Sequence, residues 1–151
     1  MKRVFFGAAL LYVFSASHLF ARIGENFEQV TNRYGGSTRG SAVDELGNFV
    51  RRYEFKDFAI VVTFENRVSV YEVFTKKDQG GIHRDEVTAI LAANVPAGAT
   101  WKMDRLPEFN TSDGNLHAVF VLDQLHIWTK DYHDRLVAAR EQAKKEKLKD
   151  F

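Results

Sequence analysis

Five side chains stand out for their chemistry: His117, His126, Trp128 and Lys130 on one apolar hairpin, and Tyr71 on another. Residues 116–122 and 125–132 alternate between apolar and polar, the period of a half-buried strand. A two-residue turn at Asp123-Gln124 puts Leu116, Ala118, Phe120, Leu122, Leu125 and Ile127 on one face. His117, Val119, Val121, His126, Trp128 and Lys130 then share the other. Residues 58–64 and 68–75 form a second hairpin, which offers Tyr71 and Val73 in comparable positions. Large aromatic and imidazole groups on an open sheet face are the residue types of a binding hot spot. If a helix covers them, they become a second core instead.

Other chemistries lack their residues. In the register above, His117 and His126 lie two pairs apart, roughly 13 Å at the rise of a strand, too far to share one ion. No metal site is expected, and no catalytic residue or cofactor is assigned. No Gly-x-Ser-x-Gly elbow occurs. Asp85 and Glu86 fall where carboxylates complement the dipole of a helix start. The glycine-rich stretch 35–41 lacks the Gly-Lys-Ser/Thr ending of a phosphate loop and follows a helix pattern, so it reads as a connection. The chain contains no cysteine, which excludes disulfides, thiol catalysis and cysteine-ligated metals.

The elements that must position the aromatic face come from a helix signature that occurs twice. Gly24, Gln29, Val30 and Thr31 match Gly81, Glu86, Val87 and Thr88, 57 positions on. Asn26 and Gln29 have capping-box spacing, and Ile23, Phe27, Val30 and Tyr34 fall on one helical face. The second helix has His83 at the cap and Val87, Ile90 and Leu91 on its buried face. For the hairpin 58–64/68–75, a three-residue turn at 65–67 would bring Val68 and Val70 onto the face of Ile60, Val62 and Phe64. The register that buries apolar groups is the expected one. The pattern predicts an α+β fold. Two tandem helix-plus-three-strand repeats, 23–79 and 80–132, form one antiparallel sheet with helices packed on one face. A charged helix over 133–151 follows this single 22–132 domain.

Lys2 and Arg3 precede an apolar run over residues 4–14 and small residues at 15–17, the pattern of a cleaved export signal. The run is shorter than the ~20 residues of a spanning helix. Cleavage after Ser17 or Ala21 leaves one domain, 19 basic and 20 acidic side chains, and no stable membrane span. A near-neutral charge gives no reason to expect a nucleic-acid partner. The chain is 45% apolar and has 13 phenylalanines, enough to build a core without disulfides.

The spacing Gly24, Gln29, Val30, Gly35, followed by the turn Phe64-Glu65-Asn66-Arg67-Val68, resembles the helix signature and strand-rich half of the BamE-like (SmpA/OmlA) lipoproteins. A doubled helix-plus-strands unit resembles the β-lactamase inhibitor protein fold. That likeness implies one continuous sheet whose concave face grips another protein. The resulting expectation is a bacterial, exported, non-enzymatic module, periplasmic or extracellular, that binds a protein or envelope component through its aromatic face. A small secreted hydrolase and a structural subunit of an envelope complex are the alternatives.

Overall fold

The first helix starts where Asn26 stops the extended chain. Its side chain accepts the Gln29 N–H at 3.0 Å, and Gln29 Oε1 accepts the Asn26 N–H at 2.9 Å. This reciprocal cap satisfies two donors that a helix start would otherwise orphan. The structure, a computed structural model, describes residues 22–38, 42–105 and 107–149. The expected export signal, 1–21, lies outside the described residues.

The elements run α1 (Phe27–Tyr34), β1 (Ala42–Val43), β2 (Phe49–Phe55), β3 (Phe58–Glu65) and β4 (Val68–Lys76). Then follow α2 (Arg84–Ala93), β5 (Trp101–Arg105), β6 (Glu108–Thr111), β7 (Leu116–Val121), β8 (Gln124–Thr129) and α3 (Lys130–Lys149). The strands form one antiparallel sheet in the order β1-β2-β3-β4-β8-β7-β6-β5, an α+β architecture. Each half is a helix followed by a four-stranded meander. Four strands stand where three were expected, because the two-residue β1 pairs with β2 and the stretch after Pro107 forms β6.

Helices α1 and α2 bury Val30, Tyr34, Val87, Ile90 and Leu91 against Tyr53, Ile60, Val62, Phe64, Phe74, Leu125 and Ile127. Helix α3 packs on the opposite face, where Tyr132 and Leu136 meet Val70, Leu46, Tyr71 and Trp128. It begins three residues earlier than expected, because Thr129 Oγ1 accepts the Tyr132 N–H at 3.3 Å and ends the strand. Three ties hold α3 down: Tyr132 to Asp44, Arg135 to Glu65 at 2.7 and 2.6 Å, and Arg140 to Glu45. Residues 141–149 run on exposed.

The β3–β4 hairpin departs from the expected register. Its turn is two residues, with Asn66 and Arg67 both at positive φ, and it pairs Glu65 with Val68. A bulge then shifts the pairing from Phe64↔Ser69 to Thr63↔Tyr71. The extra residue sends Val70 to the α3 side, and it leaves Val68 exposed. Ser69 takes the core position instead. Its hydroxyl accepts the Gly24 N–H and donates to the Arg22 carbonyl, both at 3.1 Å.

The same shift turns Glu72 into the core, between Val62 and Ile127. It is fully buried, and neither carboxyl oxygen has a hydrogen-bond partner among the described residues. Burial first, and then the nearby Glu25 carboxylate, push its pKa up to about 8 against the opposing pull of Arg33. A group raised in the folded state stabilises fully below its unfolded pKa, and that stability is lost as pH rises through the folded value. Relative to Glu72→Gln, the native chain should therefore lose up to about 1.4 kcal/mol per pH unit between roughly pH 5 and 8. Urea unfolding of both proteins across that range measures the difference. Parallel pH profiles would contradict the neutral, buried carboxyl.

Candidate functional site

The pairing of β4 with β8 assembles the aromatic face. Tyr71 lies opposite Trp128, and Val73 lies opposite His126. On the far side of β8, His117 of β7 lies opposite Trp128, and Val119 lies opposite His126. Cross-strand partners point to the same face. Tyr71, Trp128 and His117 thus form one row, and Val73, His126 and Val119 the next.

The second hairpin turns at Leu122-Asp123, both at positive φ, rather than at Asp123-Gln124. The pairing moves by two residues, so the side chains that remain in β7 and β8 keep their faces. Leu122 is left exposed in the turn. The expected separation of the two histidines is corrected by the same shift. His117 and His126 are diagonal neighbours, a relation of roughly 7–8 Å rather than 13 Å. Among the described residues, no group of three or more His, Cys, Asp or Glu side chains is placed to hold a metal.

Tyr71, His126 and Trp128 come together. The Tyr71 hydroxyl lies 2.7 Å from His126 Nδ1. Tyr71 meets Trp128 edge to face, with ring centroids 6.0 Å apart. Helix α3 adds two rings that alternation along the strands did not mark. Tyr132 stacks on Tyr71 at 5.7 Å, and His133 stacks on Trp128 at 4.9 Å. Thr129 at a cap position and the i, i+4 pair Tyr132/Leu136 were the signals that could have found them. Lys130 is not on the sheet face. It opens α3, exposed, and its ammonium pairs with Asp134.

Burial disfavours the charged forms of Tyr71 and His126. It raises the Tyr71 hydroxyl pKa, which Arg140 lowers in part, and it depresses that of the His126 imidazole. Burial, and then the Asp44 carboxylate to which it donates at 3.0 Å, push the Tyr132 hydroxyl well above its usual range. Burial alone would raise the Asp44 carboxyl, yet hydrogen bonds from Asn48, Tyr132 and Leu46 hold it below its ordinary value. With Tyr71 donating to Nδ1, a neutral His126 presents Nε2–H to a ligand. The Trp128 indole N–H is buried and has no acceptor among the described residues. His126 has no carboxylate partner among those residues; its Nδ1 is met by the Tyr71 hydroxyl.

Helix α3 covers only one end of this face. A groove of about 470 Å³ runs beneath it, between Asp44, Glu45 and Arg140 and the strand residues Val119, Val121, His126 and Trp128. A second hollow of about 680 Å³ continues from Val61 and His126 past Val73 and Thr75 to Arg52 and Lys77. Together they form one trough along the middle strands.

Because Trp128 is clamped between Tyr71 and His133, it belongs partly to the packing of α3. Trp128→Ala should lower the unfolding free energy by about 2–3 kcal/mol, less than the full cost for a completely buried aromatic. Urea denaturation monitored by far-ultraviolet circular dichroism provides the measurement. A change below about 0.5 kcal/mol, the range of an ordinary surface substitution, would show that α3 does not depend on the ring.

Comparison with protein-family models, with curated proteins and with solved structures found no match to this chain.

Proposed function

We propose that the mature chain is an exported, non-enzymatic binding module. It takes a protein or another envelope component against the part of the sheet face beyond α3. One observation carries this reading. The trough floor is made of half-buried Val61, Val73 and Val119 and of Val121, which is 43% exposed. An apolar strip of this kind, rimmed by polar groups, is typical of an interaction surface. Arg52, Glu54 and Lys77 supply the rim at one end, and His126, whose Nε2 has no hydrogen-bond partner among the described residues, marks the other.

The trough follows the strands, so it suits an extended segment or a shallow protein surface laid across four strands. The role of Tyr71 and Trp128 is to shape its closed end. Export is supported by Lys2, Arg3 and the apolar run that follows them. No helix among the described residues is long and apolar enough to cross a membrane.

A photo-crosslinking side chain at Val73, placed in the full-length protein in its producing organism, tests the reading. Val73 should yield an adduct of discrete mass. The same probe at Leu148, 64% exposed on the free end of α3, should yield none. Equal labelling at both positions, or none at Val73, would contradict a partner on the open face.

A further inference from the structure

A third hollow lies on the other face of the sheet, away from the trough. The start of α1, the β1–β2 turn and the β3–β4 turn meet around a cleft of about 520 Å³. Its walls include Phe27, Phe49, Phe64, Arg51, Arg67 and Asn48. Phe64 is buried and meets Phe27 edge to face at 5.7 Å, which makes a fixed apolar floor. Phe49 is 58% exposed, so a large ring is left in water at the mouth. No element of the described residues covers it.

The charge of the walls has one sign. Both charged residues that line the cleft are arginines, and no acidic side chain lines it. Arg33, Arg135 and Arg140 each hold a carboxylate elsewhere in the molecule. Arg51 and Arg67 have no ion-pair partner among the described residues. Arg51 is already oriented. Its guanidinium lies 5.3 Å from the Phe27 ring centroid and donates to Ser37 Oγ at 3.3 Å. Arg67 sits at φ 68, in a turn position that favours glycine. Its backbone carbonyl accepts the Phe27 N–H at 3.2 Å, which pins the turn beside the cleft.

An apolar floor with two arginines in its walls is the composition of a site for one kind of ligand. We propose that this cleft binds a small amphipathic acid, with its apolar body against Phe27, Phe49 and Phe64 and its anionic group between Arg51 and Arg67. The volume lies within the range of small-molecule sites and admits a medium acyl chain or an aromatic ring system. The site is independent of the trough, from which the sheet separates it.

Calorimetric titration of the mature protein with decanoate, with 1-decanol and with sodium sulfate tests the proposal. Decanoate should saturate one site. Decanol, which lacks the charge, and sulfate, which lacks the chain, should each bind at least roughly tenfold more weakly, as expected for loss of a charge-assisted hydrogen bond or of apolar burial. Arg67→Gln removes an exposed side chain and should weaken decanoate by a similar factor while the unfolding midpoint stays unchanged. Val121→Ser, on the opposite face, should leave decanoate affinity as it is. No saturable binding of decanoate, equal affinity for decanol, or an Arg67→Gln protein that binds decanoate as the native chain does would each overturn the proposal.

Discussion

The backbone pairing of β4 with β8 is the contact on which the rest of the molecule depends. Five residue pairs, from Tyr71↔Trp128 to Thr75↔Gln124, join two separate meanders into one sheet. Without it, each half would have a helix and a four-stranded sheet with an unpaired inner edge. With it, α1 and α2 share a continuous floor, and Phe74, Leu125 and Ile127 sit at the centre of one core. The same pairing sets Tyr71 beside Trp128 and His126 on the reverse face. The core and the candidate site are therefore two sides of one junction.

A single extra residue in β4 couples those two sides. The bulge turns both Val70 and Tyr71 toward α3, giving that helix the apolar seat that Tyr132 and Leu136 fill. The compensating effect is on the other face, where Ser69 and Glu72 stand at positions that regular alternation would have given to valines. Ser69 is satisfied by the chain that leads into α1. Glu72 is not satisfied and stays buried by remaining neutral. The molecule thus accepts a polar defect in its main core in return for a docked third helix. That helix closes one end of the trough and leaves the other open.

How much of this was readable depended on which physical signal each element carries. The helices α1 and α2 were legible because cap and apolar stripe agree within a dozen residues. The faces of β7 and β8 were legible even though their turn was misplaced, because a two-residue slip preserves alternation. The β3–β4 register was not, since a bulge breaks the period-two rule and leaves no distinct mark in Ser69-Val70-Tyr71. Glu72 has the parity of Val70 and Phe74, but a lone carboxylate in such a row is not by itself a mark of burial. Of the five site residues, Tyr71, His126, Trp128 and His117 share the face on which the pattern placed them. Lys130 does not, because Thr129 caps a helix where the strand was expected to continue. Tyr132, Asp44 and the arginine-lined cleft arise from segments that meet only on folding.

If the β4–β8 junction unites the molecule, its amides should be the last to open. Hydrogen–deuterium exchange, resolved by peptide, measures this directly. Residues 71–75 and 124–128 should be the most protected, exchange at one common rate, and respond together to added denaturant, as a single cooperative unit does. Fast exchange of β5 to β8 while β2 to β4 remain protected would show two independently stable halves and contradict the account.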